Sequence, residues 1–126
     1  VDASGDLRHR GAPLRVALEH PFDPTKAVGV VAVVDGALAA SASNRRRWGT
    51  GLHHVIDATT GAPVDEIAAT WVLAPRAMDA DGLATVLFHL DPGDAPELFA
   101  GVDWVRMWTD GRIRTSPGLR TSVFTR

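Results

Sequence analysis

One stretch of this chain has the length and punctuation of a full α-helix, and nearly everything around it is cut into strand-sized pieces. Ala74-Pro75 closes an apolar run, Ile67 to Leu73, and opens the helical segment Met78 to Leu90, which Asp91-Pro92-Gly93 then stops. Proline suits a helix start because the first N–H groups there have no partner within the helix. With the helix placed, the rest reads as short strands. Leu14 to Glu19 alternates apolar and polar residues, the period of a half-buried strand. His20-Pro21 and Asp23-Pro24 break it.

Gly29 to Val34 is rich in valine and meets Asp35-Gly36, with Ala37 to Ser41 beyond, so a hairpin is expected there. His53 to Asp57 reads as a strand, Ala95 to Ala100 as a shorter helical piece, and Val102–Trp108 with Arg112–Thr115 as a second hairpin around Asp110-Gly111. The tail after Pro117 is expected to be loose. The fold class is α+β, an antiparallel sheet with helices packed on one side. At 126 residues, 45% hydrophobic and 22% charged, the chain fits one domain with a real core.

Charge and composition narrow the function. A formal net charge of −2 argues against a nucleic-acid binder, which needs a strongly basic footprint. The absence of cysteine removes disulfides and thiolate metal sites. No apolar run approaches the roughly 18–20 residues of a membrane helix. The chain begins at Val1 without a methionine, and we expect further residues upstream.

Four clusters could carry chemistry. Asp81 and Thr85 stand four apart on the helix and so share a face, with Ala77 and Phe88 placed on the same stripe, while Leu83, Leu87 and Leu90 form a stripe for the core. A carboxylate and a hydroxyl are hard oxygen ligands suited to Mg²⁺. The same pattern is also ordinary helix-start chemistry, with Asp79 and Asp81 favoured by the helix dipole and Thr85 solvated. In His53-His54-Val55-Ile56-Asp57, strand alternation sends the two histidines to opposite faces, so they do not chelate one ion together. One of them can act as a base or donor, or bond the backbone as a partly buried histidine. Thr60-Gly61 is turn chemistry, as is Ser4-Gly5-Asp6. Arg45-Arg46-Arg47-Trp48 is either a phosphate contact or a solvated loop. There is no phosphate-binding Gly-rich motif of the nucleotide-binding kinds and no nucleophile elbow.

In order along the chain, these clusters resemble a known family. Ser4-Gly5-Asp6, Ala39-Ala40-Ser41-Ala42, His54-Val55-Ile56-Asp57-Ala58-Thr59-Thr60-Gly61 and Ala80-Asp81-Gly82-Leu83-Ala84-Thr85 are similar to motifs in the C-terminal portion of the ApbE-like family, the FAD:protein FMN transferases. Three of the motifs depart from the family pattern: Ser4 stands for glycine, Ala40-Ser41-Ala42 for Thr-Ser-Gly, and Ala58 for proline.

The resemblance implies a T-fold-related architecture and Mg²⁺-dependent transfer of FMN from FAD to a threonine of a flavoprotein subunit, with release of AMP. It implies Asp81 and Thr85 as metal ligands, Asp81 and His54 as catalytic groups, and Gly5, Asp6, Ile56, Thr60 and Gly61 as FAD-binding residues. Asp79 would be a second carboxylate near the ion. It implies further flavin contacts and a backbone metal ligand from an N-terminal portion of the same protein, and a membrane-anchored location in the bacterial cell envelope. Two other readings stay open: a nucleotide-binding module without activity, and a pyrophosphatase that gives FMN and AMP.

Overall fold

The computed structural model describes residues 1, 5–44, 47–48, 52–53 and 55–124. In chain order these form β1 (Asp6–Arg8), β2 (Leu14–His20), β3 (Asp23–Val33), β4 (Ala37–Ala42), β5 (Arg47–Trp48), β6 (Leu52–His53), β7 (Ile67–Ala74), α1 (Ala77–His89), β8 (Asp103–Trp108) and β9 (Ile113–Thr115), followed by a 3₁₀ turn at Pro117–Leu119. Five strands make one antiparallel sheet in the order β1-β4-β7-β8-β9. Among the described residues β2 and β3 form a two-stranded sheet of their own, to which the C-terminal tail adds a single bridge between Gly29 and Val123, and β5 pairs with β6.

β7 is central and buried almost throughout, and its period of two divides the core. Val72 and Ala74 face α1 together with Ala37 and Ala39 of β4 and Trp104 of β8, meeting Ala80, Ala84 and Leu87. Ala69 and Trp71 face the other way with Leu38, Val105 and Met107, meeting Leu18, Val28, Val31 and Val33 of the β2–β3 hairpin. The sheet is therefore covered on both faces, by a helix on one side and a hairpin on the other.

That arrangement corrects two expectations. The described residues hold one α-helix, and the second cover is β-structure. Asp35-Gly36 does not close a hairpin: β3 pairs back to β2, while β4 pairs with β1 and β7. Asp35 adopts a positive φ of 44° and its carboxylate accepts from the amide of Gly11 at 2.9 Å, so the turn carries the chain from one layer to the next. The true hairpin turn is Pro21-Phe22, between the paired residues His20 and Asp23. Two prolines that read as strand breakers sit at this turn and in the irregular register beside it, where a missing N–H costs little. β3 accordingly starts at Asp23 and not at Gly29.

Three further segments differ from expectation. Ala95 to Ala100 forms successive turns with i→i+3 bonds (Leu98 to Ala95, Phe99 to Pro96), and Gly101 at φ 74° ends them before an α-helical bond forms. The strand expected over His53 to Asp57 is reduced to β6 and a single bridge between Ile56 and Pro63. The tail is not loose. Leu119 and Val123 are buried, Val30 donates to Ser122 at 2.8 Å, and Phe124 donates to Val28 at 2.8 Å. The tail lies so close to β3 that a Cβ at Gly29 would stand 2.4 Å from the Ser122 carbonyl oxygen.

Candidate functional site

The site is built on α1 and the sheet edge beside it. β1 pairs with β4 so that Asp6 lies opposite Ala39, and opposed residues share a face. Ala39 belongs to the face that packs on α1, so Asp6 projects from the edge strand on the helix side of the sheet. Leu7, one residue on, joins the opposite core. Gly5 precedes this strand at φ 128°, a conformation that side chains rarely tolerate, and its carbonyl accepts from the Ala40 amide at 3.0 Å. That bond ties Gly5 to β4; Ser4 lies outside the described residues.

Asp81 and Thr85 are exposed on α1. The Thr85 hydroxyl donates back to the Asp81 carbonyl at 3.4 Å, which leaves its oxygen lone pairs directed outward. Asp6 and Asp81 lie close enough to repel. The Asp6 carboxyl is held above the usual carboxylate range, first by partial burial and then by the Asp81 charge. A carboxyl whose proton affinity is raised partly by a neighbouring carboxylate marks a place a cation would neutralise. Among the described residues no three His, Cys, Asp or Glu side chains gather into a metal cluster, so the donors here are one carboxylate and one hydroxyl, faced by a second carboxylate. Asp79 stands 3.8 Å from the exposed Arg76.

The stripe expected to carry Ala77 and Phe88 with this pair is corrected at its far end. Phe88 is 1% exposed, packed with Val55 and Ile67. It lies near the same meridian as Asp81, but the segment around Val55 laps over the last turn of the helix and closes that face. The buried face is centred on Ala80, Ala84 and Leu87, with Leu83 and Leu90 only partly covered. Continuing the exposed stripe by four residues from Thr85 reaches His89.

His89 borders a cleft of about 440 Å³ that also takes in Asp57, Thr59, Thr60, Glu66 and Arg106. Its rim is a tight turn. Gly61 at φ 69° donates to Asp57 O at 2.7 Å, and the Asp57 carboxylate accepts from the Thr59 amide at 2.7 Å. That amide bond lowers the Asp57 carboxyl below its ordinary range, with His89 adding a smaller pull. Thr60 lines the cleft, and Ile56 is 41% exposed beside the turn. His54 lies outside the described residues.

The structure thus sorts the predicted residues into two groups joined by one helix: Gly5, Asp6, Asp81 and Thr85 toward its start, and Ile56, Thr60 and Gly61 beyond its end. Eight residues separate Asp81 from His89, or about 12 Å along the axis.

Among the buried polar residues not singled out from the sequence, two bond to α1. Thr70 of β7 has no exposed surface, and its hydroxyl donates to the Ala84 carbonyl of α1 at 2.6 Å. Arg106 of β8 is 9% exposed; it donates to the Phe88 carbonyl at 3.3 Å and stands 3.6 Å from Asp91. A polar residue in phase with the helix-facing side of a buried strand is the signal that would have found both.

With this geometry in view, the match to known proteins is specific. The model of the ApbE family matches residues 1–105. The chain belongs to the ApbE family. It is 36% identical over 108 residues to the FAD:protein FMN transferase of Escherichia coli (strain K12), covering 78% of this chain and 31% of that protein. It is 37% identical over 97 residues to the FAD:protein FMN transferase of Treponema pallidum, covering 71% and 27%.

The fold matches the crystal structure of the ApbE protein from Thermotoga maritima with a TM-score of 0.81 at 22% identity, over 98% of this chain and 44% of that one. It matches the flavin transferase ApbE from Vibrio cholerae with a TM-score of 0.73 at 27% identity, over 97% and 43%. The chain spans about a third of the length of the curated ApbE relatives it matches.

Proposed function

We propose that this chain forms part of a Mg²⁺-dependent FAD:protein FMN transferase. The observation that carries the reading is Asp6 at the sheet edge within electrostatic reach of Asp81, with Thr85 one turn along α1 bonded to the Asp81 carbonyl, within an ApbE-family fold. Asp81 and Thr85 would hold the ion, a hard cation that takes oxygen ligands and keeps waters and substrate phosphate oxygens in its remaining positions. When bound, it would supply neutralisation of diphosphate charge.

In this reading the hydroxyl of an acceptor threonine attacks the FMN phosphorus of FAD. A new O–P bond forms, the bond to the bridging oxygen breaks, AMP leaves, and the hydroxyl proton passes to the Asp81 carboxylate. Gly5, Asp6, Ile56, Thr60 and Gly61 would line the FAD path along α1, and His54 would assist at the diphosphate. The names of the relatives support flavin transfer from FAD; the acceptor threonine, the ion and the released AMP belong to our proposal. An N-terminal portion of the same protein would complete the flavin pocket, and we propose the cell envelope as its location.

The test is to incubate the intact protein with FAD, Mg²⁺ and a threonine-containing acceptor peptide. Covalent flavin on the peptide supports the transferase, and free FMN in its place supports a pyrophosphatase. Tight FAD binding without turnover would leave a nucleotide-binding module. Asp81→Ala is expected to lower turnover at least about a hundredfold, the scale of losing one strong transition-state interaction. Activity unchanged by that substitution sinks the assignment.

A further inference from the structure

The face that α1 turns to the sheet is lined by alanine at Ala80 and Ala84. Ala80 and Ala84 meet Ala37, Ala39 and Ala74, and contacts between such small side chains say little about how far along its axis the helix should sit. Yet Asp81 and Thr85 must be held at a fixed height relative to Asp6 on β1. Leu87 packs in the same cluster as Val72 and Trp104, and two buried side chains add directional bonds that fix this height.

The Thr70 hydroxyl bonds the Ala84 carbonyl at 2.6 Å and lies 3.5 Å from the Ser41 carbonyl of the neighbouring strand. One turn further along, Arg106 bonds the Phe88 carbonyl at 3.3 Å. Ala84 and Phe88 are four residues apart on the buried side of the helix, so the two bonds form a pair of pegs along one line. Thr70 is the shorter and better-buried peg. The carbonyl it engages belongs to the residue just before Thr85 and three after Asp81.

The geometry points to Thr70 as a positioning residue for the cation site: its hydroxyl fixes the axial height of α1 and thereby the placement of Asp81 and Thr85 against Asp6. It touches neither ion nor substrate. This inference rests on the Mg²⁺ reading of that site. The Ala84 carbonyl keeps its ordinary bond to the Phe88 amide when the hydroxyl is removed, so no buried acceptor is orphaned and the fold should survive. The expected loss is one of alignment. Supporting groups around metal ligands commonly cost about 10–100-fold in metal affinity when removed.

The experiment titrates Mn²⁺, a spectroscopic stand-in for Mg²⁺, into the intact protein by electron paramagnetic resonance, without FAD or acceptor. The variants are Thr70→Val, Thr70→Ser and Thr70→Ala, with thermal unfolding measured on each. Thr70→Val should bind Mn²⁺ about tenfold more weakly while Thr70→Ser stays within about twofold of the parent. If Thr70→Val does not fold, Thr70→Ser is compared with Thr70→Ala, which differ only by the hydroxyl, and the serine should bind more tightly. Affinity that ignores the hydroxyl in either comparison overturns the role of Thr70 and leaves the Mg²⁺ reading intact. A parent protein that binds no Mn²⁺ overturns the Mg²⁺ reading itself, and the Thr70 role with it.

Discussion

Arg106 shows how a single residue can serve packing and charge at once. Its guanidinium lies 5.0 Å from the centre of the Trp108 ring, reaches the Phe88 carbonyl and stands 3.6 Å from Asp91, yet its Nε has no hydrogen-bond partner among the described residues. Burial lowers its affinity for a proton, and Asp91 works against that. Asp91 has a second cation, Arg114 at 2.5 Å, and so is not left alone when Arg106 is changed. Arg106→Met keeps most of the volume and removes the fork. It should cost about 1–3 kcal/mol in urea unfolding, less than breaking an isolated buried pair. A denaturation midpoint equal to the parent's would mean the guanidinium is dispensable.

At this scale the sequence was most informative where chemistry and turn signals coincide. The shared exposed face of Asp81 and Thr85 follows from their spacing, and the turn at Thr60-Gly61 from its residue types. Thr70 and Arg106 were passed over because each sits inside an apolar strand whose in-and-out phase is set by partners far along the chain.

Elements were legible where local pattern decides them and misread where pairing does. The α1 segment is bracketed by Ala74-Pro75 and Asp91-Pro92-Gly93, both local signals, and it forms within a residue of its expected bounds. Likewise the β8–β9 hairpin follows from Asp110-Gly111 and its flanks. Asp35-Gly36 offered the same signal and gave the wrong topology, because a turn dipeptide says that the chain bends and not which strand it pairs with next.

Gly29 belongs with these long-range cases. In sequence it is one glycine in a valine-rich strand, and its reason is the tail ninety residues later. Gly29→Ala places a methyl group against backbone atoms of Ser122 and Val123, which cannot swing away as a side chain would. The tail must lift from β3, exposing Leu119 and Val123. We expect a loss of about 1–3 kcal/mol, with faster amide exchange at Val30 and Phe124, whose hydrogen bonds tie the two segments. Unaltered exchange at both amides would show that the tail's packing on β3 is not what requires glycine.

Across the whole molecule one device recurs. Asp23, Asp57, Asp91 and Asp110 each accept a hydrogen bond from the backbone amide two residues on: Thr25, Thr59, Gly93 and Arg112. All four carboxyls are held below the ordinary carboxylate range. For Asp57, Asp91 and Asp110 that amide bond is the largest cause, and for Asp23 the neighbouring Lys26 and the Thr25 hydroxyl lead. These turns lie at the start of β3, the rim of the cleft, the exit from α1 and the β8–β9 hairpin. A carboxyl whose folded pKa lies below its unfolded value contributes stability that is present above about pH 3.9 and is lost as pH falls through the folded pKa. Asp6 runs the other way: its raised pKa means that its charge opposes folding once pH rises through the folded value, and that protonation relieves the strain with Asp81. The urea midpoint should hold level from about pH 7 to 5 and fall steadily below about pH 4. Replacing Asp91 by asparagine should flatten that acid limb, since the amide oxygen keeps the turn bond and no longer titrates. A midpoint unchanged between pH 6 and pH 3 would show that the turn carboxylates are no more stable charged in the fold than in the unfolded chain.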